Sequence, residues 1–111
     1  MQDKLLIITK VKKTIDYLEK VVINYPHTEV ILKNEIINNL YELLELTYRA
    51  NIFKEEKYMK EIIVKIRMLE YYIKKSLDKK IISFKKYEII GNHFLKIIKM
   101  VNSWILSEKN K

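Results

Sequence analysis

Met59-Lys60-Glu61-Ile62-Ile63-Val64-Lys65-Ile66-Arg67-Met68-Leu69-Glu70-Tyr71-Tyr72-Ile73 is the stretch on which the fold turns. Met59, Ile62, Ile63, Ile66, Leu69 and Ile73 recur at steps of three and four, as does Leu77 beyond. That spacing lays one apolar stripe along an α-helix, because 3.6 residues complete a turn. Lys57, Lys60, Arg67, Lys74 and Lys75 share the outer face with Val64, Met68, Tyr71 and Tyr72. The pattern predicts a helix from about Glu55 to Leu77.

The same reading extends to both sides. Val11, Ile15, Leu18, Val22 and Tyr25 oppose Lys12, Lys13, Asp16 and Glu19 on a first helix from about Asp3 to Ile23. Pro26 breaks it, and Thr28 is the expected N-cap of the next. That second helix runs from about Glu29 to Ala50, with Asn51 as its left-handed C-cap. A fourth runs from Ser83, an expected N-cap, over Phe84 to Leu106, with Tyr87, Ile90, Phe94, Ile97, Val101, Trp104 and Ile105 inward and residues 107–111 as a polar tail. Gly91, the single glycine of the chain, lies inside that helix, where close approach of another helix is the expected reason.

Four helices with short connections predict one all-α domain over 1–111, an up-down-up-down four-helix bundle. One Gly and one Pro leave too few turn residues for a β fold. A hydrophobic content of 49% argues against disorder. The second helix is wider in its apolar face than a monomeric bundle needs. Leu32, Ile36, Leu40, Tyr41, Leu43, Leu44, Leu46, Thr47 and Tyr48 cover roughly 240° of its circumference, against a requirement of about 100–140°. Glu35, Glu42, Glu45 and Arg49 mark its solvent stripe. The excess predicts self-association.

Charge divides the chain. Residues 1–53 carry seven basic and seven acidic side chains, and residues 54–111 carry fifteen and seven, so the net +8 belongs to the second half. AT-rich codon usage inflates lysine, so placement counts for more than number. Lys60, Arg67 and Lys74 repeat every seven residues along one edge of the third helix. Lys79, Lys80, Lys85 and Lys86 cluster at the turn that follows. Phosphates bind such rows by counterion release, without reading sequence. Tyr71 and Tyr72 can stack on unpaired bases or form a protein contact. Together with Arg49, Lys57 and Lys75, these cations form the expected nucleic-acid-binding set.

Chemistry finds little purchase. No cysteine is present, which excludes thiolate metal sites and disulfides. His27 reads as a turn residue, and His93 as a hydrogen-bonded residue in the apolar face of the fourth helix, beside Ile97 and Trp104. Neither belongs to an ExxH pair of the kind that carboxylate-bridged dimetal bundles use. Ser76 and Ser83 have no evident base beside them, and a single glycine cannot form a phosphate-cradling loop. No catalytic residue, cofactor or metal is expected, and the reading is non-enzymatic. Nowhere do eighteen apolar residues run together, and the N-terminal apolar run is too short for a signal peptide, so a cytoplasmic protein without membrane contact is expected.

Three stretches carry a family resemblance: Tyr25-Pro26-His27-Thr28-Glu29 before the second helix, Leu43-Leu44-Glu45-Leu46-Thr47-Tyr48-Arg49-Ala50-Asn51 at its end, and Asn102-Ser103-Trp104-Ile105 near the end of the fourth. With the four-helix layout they resemble the accessory variability determinant proteins of diversity-generating retroelements, over about residues 10–106. The resemblance implies a homopentameric ring with a basic surface, whose partners are a reverse transcriptase and its template RNA, or DNA. It carries no individual binding residue across. A sister branch, encoded in intervening sequences of 23S ribosomal RNA genes, tends to have Ser-Ile-Pro-x-Asn-Ile-Ala-Glu-Gly in the second helix; this chain has neither Pro nor Gly there. The alternative reading is a structural protein-interaction module whose lysines serve solubility.

Overall fold

A computed structural model describes residues 4–110. Four helices, α1 (Lys4–Val22), α2 (Val30–Phe53), α3 (Glu56–Asp78) and α4 (Phe84–Lys109), account for nearly all of them, and no strand occurs among the described residues. Each helix packs against its neighbour in sequence, and α1 closes on α4, giving a body of 48 × 22 × 19 Å. Among the described residues no diagonal pair of helix backbones approaches as closely, an arrangement compatible with a four-helix bundle. No helix of the described residues is long and apolar enough to cross a membrane.

The buried stripes follow the sequence spacing. Ile7, Val11, Ile15 and Leu18 of α1, Leu32, Ile36, Leu40 and Leu43 of α2, Met59, Ile62, Ile66, Leu69 and Ile73 of α3, and Ile90, Phe94, Ile97, Val101 and Trp104 of α4 form one continuous core. Ile63 and Leu77 stand at its margin, half-buried. Tyr25 leaves α1 but stays buried, donating its hydroxyl to Ser76 Oγ at 2.8 Å, while Ser76 donates to the Tyr72 carbonyl at 2.9 Å. This pair ties the first connection to the end of α3. Burial raises the Tyr25 phenol above its usual pKa.

Helix ends were the least legible part. Ser83 caps α4 as expected, accepting from the Lys86 backbone N–H at 3.1 Å. Thr28 does not cap α2. Pro26, at φ −62°, leads into a 3-10 turn over His27–Glu29 closed by Glu29 N–H to the Pro26 carbonyl at 2.9 Å, which carries Thr28 past the cap position and leaves Glu29 there instead. Asn51 does not end α2 either. The i→i−4 ladder continues through Phe53, whose ring meets Tyr58 across the reversal at 5.4 Å, and Lys54 takes the left-handed conformation at φ 58°. Its N–H closes on the Ala50 carbonyl, so the cap is made by backbone bonds with a lysine where Asn or Gly is usual. Lys80, at φ 62°, does the same after α3. Its N–H reaches the Leu77 carbonyl and that of Ile81 the Ser76 carbonyl, the paired bonds of a Schellman ending. The expected polar tail is mostly helix, since α4 continues to Lys109. A cation there faces the free carbonyls of a helix C-terminus, and Lys109 Nζ also lies 4.0 Å from Glu56.

Candidate nucleic-acid interface

Because α1 pairs with α2 on one side of the body and α3 with α4 on the other, the charge split along the chain becomes a split between two faces. Nine of the ten expected contact residues belong to α3, α4 or the turn between them; Arg49 is on α2. All ten are exposed.

Local partners divide the set in half. Arg49 pairs with Glu45 and Arg67 with Glu70, each at 2.8 Å. Lys60 pairs with Glu56 and Lys74 with Asp78, each at 2.7 Å, and Lys79 reaches across to Glu29 at 3.1 Å. The hydrogen bond to Asp78 holds the Lys74 ammonium above its ordinary pKa, and that to Glu45 does the same for Arg49. Exposed pairs of this kind contribute about 0–1 kcal/mol each, so a phosphate can displace the carboxylate. Lys57, Lys75, Lys80, Lys85 and Lys86 have no carboxylate partner among the described residues. Lys57 lies over Tyr58 at 5.0 Å and Lys75 over Tyr71 at 5.4 Å, contacts that leave the charge in place.

Between α3 and α4 runs an open groove of about 830 Å³. Arg67, Tyr71 and Lys74 line it from α3, and Lys85, Tyr87 and Gly91 from α4. Two acids, Glu70 and Glu88, share the walls. Tyr71 stays 56% exposed, while Tyr72 meets it edge-on at 5.7 Å and is half-buried. Of the two tyrosines, only Tyr71 reaches the groove.

Sequence reasoning missed Tyr87 and Gly91 as parts of this surface. Tyr87 has the spacing of a core residue but is only half-buried. The expectation that Gly91 admits a close helix is overturned: a Cβ built there meets no atom within 4 Å. A mid-helix glycine costs about 0.5–1 kcal/mol against Ala, and no packing need offsets that here. The available signal was its position one turn after Tyr87.

His93 sits at the seam of α1 and α4 rather than in the core, half-buried and stacked on Tyr17 at 5.1 Å. Lys10 Nζ lies 3.0 Å from its Nδ1. An ammonium only donates, so Nδ1 accepts and the neutral ring carries its proton on Nε2. Thr14 spends its hydroxyl proton on the Lys10 carbonyl, at 2.9 Å. Burial first, then Lys10 and Lys96, hold the imidazole below its usual pKa. Lys10 is itself lowered by burial and by Lys96 and Lys13. The folded state therefore disfavours the imidazolium. The contribution of His93 to stability is fully present above the unfolded pKa of about 6.5 and is lost as pH falls below it. Melting measured from pH 7.5 down to 5 is expected to fall less steeply in His93→Gln than in the parent protein; equal slopes would show that His93 does not couple to folding.

Among the described residues, no three His, Cys, Asp or Glu side chains gather as metal ligands would. Large apolar side chains are exposed elsewhere. On α2, Tyr41, Leu44, Tyr48, Ile52 and Phe53 line one continuous strip, with Ile52 68% exposed. Tyr41 donates to Glu19 of α1, and Lys12 lies over Tyr48 at 5.7 Å, so the strip borders the α1 side. At the other end of α2, Ile31 is 78% exposed beside Val30. A contiguous apolar strip is the kind of surface that a partner can cover. No protein-family model matches the chain, and no curated protein matches it either.

Proposed function

We propose that this protein is a non-enzymatic, self-associating accessory factor that binds nucleic acid through its α3/α4 face and works beside a reverse transcriptase, as in diversity-generating retroelements. The observation that carries the reading is the concentration of cations, five of them without a carboxylate partner among the described residues, on α3, α4 and the turn between them. The exposed strip on α2 supports self-association, and the resemblance of the Tyr25–Glu29, Leu43–Asn51 and Asn102–Ile105 stretches supports a homopentameric ring and the retroelement setting. The partners are then RNA or DNA, the polymerase and further copies of the chain.

A second reading has its own support. Five of the ten cations are satisfied by neighbouring carboxylates, as they are in a protein-interaction module whose charge only keeps it dispersed.

Light scattering with and without a short RNA tests the proposal. The expected mass is near that of five protomers and rises when RNA is added. An oligomer indifferent to RNA would favour the protein-interaction module. A monomer indifferent to RNA would remove both the ring and the phosphate-binding face.

A further inference from the structure

We infer that the α3–α4 groove seats unpaired nucleotides, so that this face prefers single-stranded nucleic acid to duplex. The inference rests on the nucleic-acid reading above and adds to it the class of strand that the face takes.

Shape comes first. At about 830 Å³ the open groove falls within the size range of small-molecule sites. Gly91 is among the residues that line it, and nothing in the fold requires that glycine, since a Cβ would meet no atom within 4 Å.

The lining then selects the occupant. Tyr71 and Tyr87 bring aromatic rings from opposite walls. Lys75 lies over the Tyr71 ring at 5.4 Å, and the residue remains more than half exposed, so the ring is steadied without being covered. An aromatic face beside cations is the platform on which bases stack regardless of sequence. Lys85 places positive charge along the same groove for the phosphodiester backbone, joined by Arg67 and Lys74 where phosphates displace Glu70 and Asp78. Glu70 and Glu88 separate a nucleotide from an acidic peptide. Base amino groups donate hydrogen bonds to carboxylates, whereas the side chains of an acidic peptide only accept and bring like charge directly against them. A duplex offers the cations its phosphates but keeps its bases paired, out of reach of the tyrosines.

Anisotropy titrations at moderate salt decide the matter, using a labelled RNA of alternating A and C, alone and annealed to its complement. The single strand is expected to bind about tenfold tighter or more. Tyr71→Ala should weaken single-strand binding by roughly 5- to 150-fold, the range set by loss of one stacked base, and leave duplex binding as it was. Tyr71→Phe should restore the single strand, because the ring face is kept. Gly91→Phe should fill the groove with the same selective loss, while Gly91→Ala should bind normally. Circular dichroism establishes whether Gly91→Phe is folded, and the Tyr71 pair decides alone if it is not. Equal binding of single strand and duplex, unchanged by these substitutions, would overturn the groove and leave the basic face standing. Loss of all RNA binding in the parent protein would overturn both. Capture of a labelled polyglutamate peptide in place of RNA would assign the groove to an acidic protein.

Discussion

Trp104→Ala is expected to lower stability by about 3–5 kcal/mol, the usual cost of truncating a buried tryptophan. Trp104 is 1% exposed and belongs to the core shared by all four helices. Removing the indole takes away its transfer free energy and leaves a cavity that close-packed neighbours fill only in part. Small domains hold about 5–15 kcal/mol in total, so this one change removes a large share of the margin. For a domain of this size the midpoint of thermal unfolding should fall by about 12–20 °C. Leu106→Ala is the control. It lies on the same helix, two residues on, but is exposed, and should stay within about 0.5 kcal/mol of the parent. Circular dichroism melts of the three proteins check the claim, and similar melts for both variants would mean that α4 presents a different face to the core.

Salt should act on RNA binding by a still larger factor. Each phosphate contact releases counterions, so log K falls with log[salt] at a slope of about −0.9 per contact on duplex and about −0.7 on single strands. If only Lys57, Lys75, Lys80, Lys85 and Lys86 engage a duplex, raising salt from 50 to 200 mM costs roughly five-hundredfold in affinity. If the five ion-paired cations join them, the loss exceeds roughly a hundred-thousandfold. The measured slope therefore counts the contacts and says whether phosphates displace Glu45, Glu56, Glu70, Asp78 and Glu29. A single strand gives a shallower line for the same number. Affinity that hardly changes over this range would remove the electrostatic interface and leave the protein-interaction reading.

The two experiments address different links of one chain of reasoning. Trp104 concerns the packing that holds α3 beside α4, and the salt slope concerns what that shared face then does. A protein that passes the first and fails the second would have this fold without this function.

The chain's own residues were enough to read the helices. Periodicity placed the buried stripes of Met59–Ile73 and Ile90–Trp104, Pro26 marked the first break, and Ser83 marked the start of α4. These features depend on neighbours within about a turn, so sequence carries them directly. Of the surplus apolar width that the second helix announced, Tyr41 and Tyr48 stand exposed, while Leu32, Ile36, Leu40, Leu43 and Thr47 are buried. Helix ends were harder, because Lys54 and Lys80 are left-handed through backbone bonds that no side chain advertises.

Contacts between helices belonged to the tertiary structure alone. His93 meets Lys10 across 83 positions, and Tyr25 meets Ser76 across 51. The groove that gathers Arg67, Tyr71, Lys85 and Gly91 exists only when α3 and α4 lie side by side at one particular rotation about their axes. A helix's own sequence determines which stripe it buries. Which edge of that stripe faces which neighbour is decided by how all four helices fill the core together, and Gly91, which read as a point of close packing, lines an open groove for that reason.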